Sequence, residues 1–498
     1  MAKSETNIAK KVKFPYETSV ARLRGYSYYE KLFMGDHFNA FNIKINSKEY
    51  NKAYAQLRYV CANFAGLISK VIADMLFSEP IKIKVPDGDQ EWMDAFVQEN
   101  KLDVLFYENA LSNSYSGDQL FKLRIKDGKK MFMSNCPPGI YFPEINIFDV
   151  DEDPEVKELA WAFKRENSVG KEQKYLRKEI HHPKKIVNEI YLMKGDTIEG
   201  KTTFKAAGLK NIKDSVITKI DKHLLVHIPN WKTTTRFWGI SDYYDLTSIF
   251  YGINNRLTKV DNILDKHSDP LLIVPPGILD KKGQVKKGSL GVVEIKNAED
   301  GKPEYVVWDA SLENAFKEID KLVDVFFMMS ETSPDILGMG DGKVESGRAL
   351  KLKLLRTVAK AARKRLYYNH AIKDILYRAQ LLAKAWKVGV GEKNLKLKGE
   401  AVMPELEWAD GLPQDLVEQI ENENKRIDAG TTTTVDAIMR IDQVDEDTAK
   451  RKAAEIKKEK EVMMPQSTVA DNPFNKVKQV KKKAEVKGAI SKEGGTKR

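Results

Sequence analysis

Apolar residues recur at regular spacings along most of this chain, and the spacings predict where helices and strands lie. From about Tyr50 to Phe77 an apolar residue occupies every third or fourth position, which predicts a helix. After Pro80 the pattern changes to the alternation of a strand, and later alternating runs predict a hairpin that turns at Asp127. Residues 50–235 are therefore predicted to form an α+β domain with a largely antiparallel sheet.

Two long amphipathic helices are predicted next, and a small β module separates them. The first has a cap at Ser241 and ends before Pro270. Residues 271–309 contain short apolar runs between prolines and glycines, which indicates short strands, and the second helix begins after Ser311. Two helices cannot cover both of their apolar stripes alone. We therefore expect a large domain or neighbouring copies of the chain to cover them.

The remainder of the chain is predicted to be mainly helical. Residues 346–388 have the spacing of one very long helix or of a kinked pair, and strand character returns after it. Residues 413–461 predict three highly charged helices. Residues 465–498 lose the apolar periodicity and fill with lysine, glycine and serine, so they are predicted to be disordered.

Composition and charge narrow the class of protein. The 498 residues carry a formal net charge of +11, which suits a polyanionic partner without requiring one. Cys61 and Cys136 occur outside any metal-binding pattern and are predicted to be free thiols. The N-terminal residues lack the apolar segment of a secretory signal. No stretch reaches the ~18 uninterrupted apolar residues that would predict a membrane span. We expect a soluble intracellular protein with no membrane partner.

The densest run of glycines lies in SETSPDILGMGDGKVESGRALKLK, residues 330–353. A phosphate-binding P-loop needs four residues between its glycines and a Ser or Thr after its lysine. Only three residues separate Gly338 from Gly342, and Val344 follows Lys343. The glycines are therefore predicted to supply conformational freedom beside a basic helix, in contact with a polyanion that is not read by sequence. Helical spacing spreads the cations of that helix over more than one face, so only some of them could line a common surface. They are Arg348, Lys351, Lys353, Arg356, Lys360, Arg363, Lys364 and Arg365.

Patterns typical of catalytic or metal sites are weak in this chain. The pair His181 and His182 and the pair His223 and His227 occur without a matching carboxylate pattern. The acidic run at residues 149–153 lacks the glycine and the final glutamate of a calcium loop. We expect no catalytic residue, no metal site and no cofactor.

The order of these elements, with three short stretches, resembles the portal (head–tail connector) proteins of tailed bacteriophages, particularly those of long-tailed phages and related prophages. NFAGLISKVIADMLFSEPIKI is similar to the family's early helix and strand, and ENALSNSYSGDQLFKLRI to its helix that ends in a small-Gly-Asp turn. The glycine segment is similar to the family's tunnel loop, and SGRAL within it resembles the SG-x-AL that opens the long helix. The resemblance covers roughly residues 50–460.

The resemblance implies a ring-forming α+β subunit with several parts. In chain order these are a wing (1–240), a first stem helix (241–267), a clip built as a small β module (268–310), a second stem helix (311–331), a tunnel loop (332–347), a long helix and strand that return to the wing (348–412), a helical crown (413–464) and a disordered basic tail (465–498). Family members assemble as closed rings, conventionally dodecamers, around an axial DNA channel, and neighbouring subunits would then cover the stem stripes.

The function that the resemblance implies is that of a passive ring at one capsid vertex of the virion, assembled in the host cytoplasm. The ring would pass double-stranded DNA during packaging and ejection without sequence preference. It would dock terminase and the head–tail adaptors, and it would nucleate procapsid assembly with the major capsid and scaffolding proteins. Two alternatives stay open. One is a magnesium-dependent nucleic-acid-processing enzyme that uses the acidic clusters, and the other is a non-viral scaffold that self-associates through the long helices.

Three groups of site residues are predicted. The tunnel loop is predicted to face DNA through Gly338, Gly340, Asp341, Gly342, Lys343, Glu345, Ser346, Arg348 and Lys351. The clip is predicted to dock partners through Lys281, Lys282, Lys286 and Lys287. The stem is predicted to contact neighbouring subunits through Leu246, Phe250, Ile253, Leu257, Phe316, Ile319, Leu322 and Phe326.

Overall fold

The computed structural model describes residues 12–43, 58–86, 88–126, 128–166, 170–268, 271–273, 304–306, 312–339, 349, 352–409, 416–442, 444 and 446–463. The chain divides into two compact units, residues 1–411 and 412–498.

The first unit combines helices with antiparallel sheets, so the predicted α+β composition is confirmed. Its helices are α1 (Val20–Phe33), α2 (His37–Ala40), α3 (Phe64–Phe77), α4 (Gln90–Asn100), α5 (Leu102–Ser116), α6 (Thr247–Ser268), α7 (Leu312–Ser330) and α8 (Leu355–Trp386). Its strands are β1 (Lys82–Lys84), β2 (Asp118–Lys126), β3 (Lys130–Cys136), β4 (Tyr141–Pro143), β5 (Lys157–Glu166), β6 (Glu172–His182), β7 (Lys185–Lys194), β8 (Thr197–Thr202), β9 (Ser215–Ile217), β10 (Leu225–Pro229), β11 (Leu271–Ile273), β12 (Glu304–Val306) and β13 (Glu405–Glu407).

Helix α3 lies in the middle of the helical part of the unit. Oδ1 of Asn63 accepts a hydrogen bond from the N–H of Gly66 at 2.9 Å, so Asn63 caps the helix and α3 begins at Phe64. The helix packs against α1, α5 and α8, which explains why it is apolar on more than one face. The predicted start near Tyr50 is wrong for residues 58–63, which are not helical, and residues 44–57 lie outside the described part.

Two antiparallel sheets follow the helical part. One has the order β10-β2-β3, and its β2–β3 hairpin pairs Leu120 with Cys136, which confirms the hairpin predicted from the alternation. The other has the order β4-β5-β6-β7-β8, and β9 pairs with the free end of β7. One buried cluster contains residues from both sheets, so the two sheets share a core. Its members are Leu120, Cys136, Tyr141, Leu159 and Leu225.

Helices α6 and α7 pack against each other, and the strands β11 and β12 that lie between them in sequence form an antiparallel pair. Helix α6 begins at Thr247 and not at Ser241 as predicted. Oγ of Ser241 accepts a hydrogen bond from the N–H of Tyr243 at 3.0 Å, so this side chain stabilises the turn at residues 242–246 instead of capping the helix.

Helix α8 is 32 residues long and connects the helical part with the sheets, because it packs against both α3 and β10. It begins at Leu355, after a turn at Leu354, and Ala349, Leu352 and Lys353 before that turn are also helical. The described residues therefore agree with the kinked pair, one of the two predicted forms. It ends at Lys387, whose φ of +55° places it in the left-handed region typical of a helix C-terminus. The chain then returns through β13, which pairs with β1.

The second unit contains the three charged helices that the sequence predicts, α9 (Leu416–Asp428), α10 (Thr434–Asp442) and α11 (Glu446–Met463). Thr433 caps α10, because its Oγ1 accepts from the N–H of Asp436 at 3.1 Å and donates to the Asp436 carboxylate at 2.7 Å. Arg440 of α10 donates two hydrogen bonds to Glu423 of α9, at 2.9 and 2.8 Å. In the described part of the chain, no helix is long and apolar enough to cross a membrane.

Candidate functional site

The segment that leads from α7 into the glycine run is the part of the predicted tunnel loop that the structure describes. Helix α7 ends at Ser330, and Glu331 follows with a φ of +54°. Residues Pro334–Leu337 form a 3₁₀ turn, which ends at Gly338. Oγ of Ser333 caps this turn by accepting from the N–H of Asp335 at 3.3 Å. We call residues 330–338 the loop base.

Two side chains of α8 hold the loop base. Oγ1 of Thr357 accepts a hydrogen bond from the N–H of Ser333 at 2.8 Å, and Nζ of Lys360 donates to the carbonyl oxygen of Ser330 at 3.0 Å. All four residues are buried. The carbonyl oxygen of Ser330 at the end of α7 is therefore paired with a lysine side chain, and the loop base is fixed to α8.

A buried group of charged and polar side chains adjoins these contacts. Asp242, in the turn before α6, lies 2.8 Å from Nζ of Lys364 and 3.5 Å from Nζ of Lys360. Oγ of Ser114 donates to the Asp242 carboxylate at 2.6 Å, and Nδ2 of Asn230 donates to it at 3.2 Å. We call these five residues the Asp242 cluster. It joins α5, the end of β10, the start of the stem and α8 at one point.

The electrostatics of the Asp242 cluster follow from its burial. Burial by itself would raise the pKa of Asp242, but Lys360 and Lys364 outweigh burial and hold that pKa well below its usual range. Burial lowers the pKa of Lys364 to about 8, although Asp242 opposes the shift. The carboxylate is thus ionised throughout the neutral range, and it needs its cationic partners because an unpaired buried charge is costly.

Ion pairs at the surface also join the loop base to α8 and the residues just before it. Glu331 pairs with Arg356 at 3.5 Å and with Arg363. Nζ of Lys353 lies 3.5 Å from the carboxylate of Asp335. Exposed pairs of this kind contribute little to stability, typically ~0.2–1 kcal/mol each. Here they add charged contacts to the loop base, which the buried hydrogen bonds already hold against α8.

Only some of the cations of this basic helix were predicted to line a surface for a polyanion, and three of them do not. Lys360 and Lys364 are buried in the Asp242 cluster. Arg365 is half-buried, donates to the carbonyl oxygen of Met75 at 3.0 Å and lies 5.7 Å from the ring centroid of Trp408. These three side chains therefore stabilise the fold.

Sequence reasoning missed the Asp242 cluster, although a signal for it was present. Thr357, Lys360, Lys364 and Tyr368 follow one another at spacings of three and four along α8, and all four are buried. Lysines that share an apolar stripe must pair with buried acceptors. The acceptors themselves lie more than 100 residues away in the chain, so the sequence pattern could not name them.

The residues predicted to form stem contacts divide into buried and accessible groups. Five of them are at most 8% exposed within the single chain, and they are Leu246, Phe250, Ile253, Ile319 and Phe326. The ring of Phe326 packs against Phe64 of α3, with centroids 4.8 Å apart, so the large domain covers this part of the stripes. These five residues are not available to a neighbouring subunit. Leu257 and Leu322 are half-buried and Phe316 is 48% exposed, and a subunit contact stays a prediction for these three.

Two of the histidines that lack a carboxylate pattern in the sequence contact a carboxylate in the structure. His181 hydrogen-bonds to Glu179 at 2.8 Å, and His227 hydrogen-bonds to Asp118 at 2.8 Å. Among the residues that the structure describes, no group of three or more His, Cys, Asp or Glu side chains could hold a metal ion. Cys61 and Cys136 are free thiols, as predicted.

A comparison with protein families decides the class to which this fold belongs. The family model described as phage portal protein, SPP1 Gp6-like, matches residues 21–465. The chain belongs to this portal family. The resemblance seen in the sequence is thereby confirmed, and the matched range contains the stem helices, the loop base, the Asp242 cluster and α8. The portal family is a structural, non-enzymatic family.

Chains in solved structures of gene transfer agent particles are similar to this portal-family chain at low identity. A chain in the virion of a native gene transfer agent (GTA) particle is 10% identical, with a TM-score of 0.39, and the match covers 76% of this chain and 89% of that one. A chain in the neck of an empty GTA particle, computed with C6 symmetry, is 12% identical, with a TM-score of 0.40 and coverage of 81% and 96%. No curated protein matches the chain.

The tunnel loop and clip residues that the portal resemblance predicts fall mostly outside the described part of the chain. Gly338 is described, and it is exposed with a φ of +70°. The predicted residues outside the described part are Gly340, Asp341, Gly342, Lys343, Glu345, Ser346, Arg348, Lys351, Lys281, Lys282, Lys286 and Lys287.

Proposed function

We propose that this protein forms a ring at one vertex of a phage capsid and is the conduit for double-stranded DNA during packaging and ejection. The observation that carries the proposal is the portal family match over residues 21–465. In this role the ring docks terminase and later the head–tail adaptors. It also nucleates procapsid assembly with the major capsid and scaffolding proteins, in the host cytoplasm, and it stays at the vertex in the virion.

The proposed ring is a dodecamer in which the accessible side of each stem meets its neighbour. Exposed apolar side chains remain on both stem helices, since Tyr251 is 43% exposed, Leu264 49% and Phe316 48%. Exposed apolar side chains are favoured at protein interfaces, and a subunit on each side would remove these three from water. Leu257 and Leu322 would contribute the parts of their side chains that the chain leaves accessible.

We propose that the glycine segment beyond the loop base contacts the DNA backbone. Contacts to phosphates carry no sequence information, as a conduit requires. Lys343 would be the main cation in contact with the DNA, with Arg348 and Lys351 as further cations, and Asp341 and Glu345 would offset part of their charge. Many lysines in a channel would hold DNA instead of letting it pass. The burial of Lys360 and Lys364 supports a mixed lining, because it removes two cations from any surface that DNA could reach.

The clip lysines are proposed to dock the packaging motor and the adaptors. Lys281, Lys282, Lys286 and Lys287 place four positive charges within seven residues. Such a patch favours a partner surface with acidic residues, and charge complementarity of this kind sets partner choice and association rate.

Electron microscopy and mass measurement of the purified protein test the proposed function. The expected result is a ring near twelve times the chain mass of 56.7 kDa, with an axial channel wide enough for duplex DNA. A monomer that persists at high protein concentration would refute the proposal. An assembly without a channel would favour the scaffold alternative. Magnesium-dependent nuclease activity that a single carboxylate-to-alanine change abolishes would favour the enzyme.

A further inference from the structure

An exposed apolar pair lies in the connection between β4 and β5. Ile147 is 80% exposed and Phe148 is 93% exposed. We call residues 144–155 the acidic loop, because it contains six carboxylates and no lysine or arginine. These carboxylates belong to Glu144, Asp149, Asp151, Glu152, Asp153 and Glu155. Adjacent large apolar side chains that point into water are typical of an interaction site.

Hydrogen bonds within the acidic loop hold the apolar pair in place. Oδ1 of Asn146 accepts from the N–H of Phe148 at 2.9 Å, and Nδ2 of Asn146 donates to the Glu152 carboxylate at 2.7 Å. Nζ of Lys232 donates to the Asp151 carboxylate at 2.5 Å, which joins the loop to the segment after β10. A loop with a fixed conformation loses little entropy when it binds, so Phe148 can bind a partner without further ordering of the loop.

A cleft elsewhere in the same unit has the complementary chemistry. Its volume is about 620 Å³, and apolar side chains that include Ile212, Val216, Leu382 and Trp386 line it. Its charged lining residues are four cations (Lys122, Arg124, Arg177 and Lys213) and one carboxylate (Glu179). Clefts of roughly 300–1,000 Å³ are large enough to bury most of a small ligand. Lys122 and Arg177 already pair with Glu179, so the exposed cations of the cleft are Arg124 and Lys213. This cleft can therefore accept two apolar side chains, with two exposed cations beside them.

We propose that the acidic loop of one subunit inserts Phe148 and Ile147 into this cleft on the next subunit. The inference rests on the proposed ring and identifies one of its contacts. A second copy of the chain is the occupant because the loop and the cleft match in both respects, apolar against apolar and acidic against basic. The two surfaces share no residue, so each subunit can offer its loop to one neighbour and its cleft to the other. Contacts of this head-to-tail type generate a ring when the rotation between neighbouring subunits closes, as the proposed ring requires.

The two parts of the contact have different roles. Phe148 and Trp386 are aromatic residues of the type that dominates binding energy at the centre of an interface. The carboxylates and the two exposed cations, Arg124 and Lys213, lie where solvent and salt screen them, so they set orientation and association rate. We therefore expect ring formation to depend on Phe148 at every salt concentration, and the rate of assembly to fall as salt rises.

A charge placed on the tip of the loop tests the contact. Phe148→Asp should lower the fraction of chains in rings by at least about tenfold, because a carboxylate would enter an apolar cleft. Phe148→Leu should retain rings. The matched control is Val104→Asp, since Val104 is an apolar residue 51% exposed on α5, outside both surfaces. Equal thermal unfolding midpoints of the Phe148→Asp and Val104→Asp chains, measured at a concentration too low for either to assemble, show that the loss is one of assembly and not of folding.

A cysteine pair tests the position of the contact in the full-length protein. Phe148→Cys combined with Val216→Cys should give an oxidant-dependent ladder of linked subunits in a denaturing gel, and each single variant should not. Val104→Cys with Val216→Cys is the control pair. Two outcomes overturn the inference and leave the proposed function intact. In one, the wild type forms rings but the Phe148→Cys, Val216→Cys variant gives no ladder, and in the other, Phe148→Asp still forms rings. A wild-type chain that never forms rings overturns the proposed function, and the inference falls with it.

Discussion

Nζ of Lys364 and the carboxylate of Asp242 lie 2.8 Å apart, and their side chains are only 4% and 2% exposed. The pair joins the middle of α8 to the turn from which the first stem helix begins. Lys360, one turn away on α8, contacts both Asp242 and the end of the second stem helix. The Asp242 cluster therefore connects both stem helices to one face of α8.

Removal of the Asp242 charge should destabilise the protein severely. Asp242→Asn leaves Lys360 and Lys364 buried without a counter-ion, which typically costs ~3–5 kcal/mol. Urea unfolding followed by circular dichroism measures the change. Asp320→Asn is the matched control, because Asp320 is exposed on α7, and it should stay within ~0.5 kcal/mol of wild type. Equal stabilities of the two variants would contradict the role of the cluster.

Two glycines should differ in their tolerance of alanine. A Cβ on Gly239 would lie 2.0 Å from the carbonyl oxygen of Gly117, so backbone must move, and Gly239→Ala should cost roughly 3 kcal/mol or more. A Cβ on Gly338 meets nothing within 4 Å, so Gly338→Ala should cost only the ~1–2 kcal/mol of a left-handed backbone. Thermal unfolding of both variants checks the order, and a larger loss at Gly338 would show that the close approach at Gly239 is unimportant.

Alanine at three positions of the glycine segment should impair DNA passage more than assembly. In the proposed function, Gly338, Gly340 and Gly342 together would supply the conformational freedom that the DNA contact needs. We expect the triple variant to form rings of normal size and to package less DNA, measured by nuclease protection of the packaged genome. Gly338→Ala alone separates the effect of the loop base from that of the segment beyond it. Equal losses of rings and of packaging would argue against the role of flexibility.

Stability should fall in mildly acidic solution because of a buried histidine. His223 is 7% exposed, and burial together with the nearby Lys157 cation lowers its pKa to about 4. The unfolded chain takes up this proton near the ordinary pKa of ~6.5, so it binds more protons than the folded chain between pH 6.5 and 4. The contribution of His223 is complete above pH 6.5 and is lost as the pH falls toward 4.

Unfolding free energies at several pH values between 7.5 and 4.5 check this prediction. His223→Leu should give a shallower dependence on pH than wild type. His181 should preserve part of the dependence in that variant, because burial lowers its pKa as well. Identical slopes for wild type and His223→Leu would exclude a contribution from His223.

Charge reversal in the clip should weaken docking and leave the ring intact. We expect glutamate at Lys281, Lys282, Lys286 and Lys287 to reduce co-purification of terminase or adaptor by at least tenfold, because the proposed partner surfaces are acidic. The matched control reverses four lysines of the C-terminal tail, and they are Lys481, Lys482, Lys483 and Lys487. Docking that survives the clip change and fails in the tail control would place the contact in the tail instead.

Local patterns in the sequence were sufficient to predict many of the elements. The β2–β3 hairpin follows from alternation on both sides of a turn, and the stem helices follow from stripes with a spacing of three and four. The family also follows, because its motifs are short and continuous, such as SGRAL in the glycine segment. Helix starts were less accurate, since Asn63 caps α3 whereas Ser241 stabilises a turn, and the two side chains look alike as caps in sequence.

Contacts between distant residues could not be predicted in the same way. Whether the domain or a neighbour covers the stem stripes depends on where Phe64 lies relative to Phe326, which are more than 250 residues apart. The roles of Lys360 and Lys364 likewise depend on Asp242. The spacing of cations along one helix could not show which of them are buried. The exposure of Phe148 also could not be predicted from the sequence, because an aromatic residue in a loop can be either buried or exposed.

The contacts from Thr357 and Lys360 to the loop base determine how the molecule bears mechanical load. A pull on Gly338 reaches residues 330–333 first, where two buried hydrogen bonds to α8 resist it. The force is then transmitted to α8, a 32-residue helix that packs on both the helical part and the sheets. It does not act along α7, so α7 is not unwound from its end. If the proposed function holds, a motor that pulls DNA past this segment would load α8 and the domain around it, and α7 would keep its length.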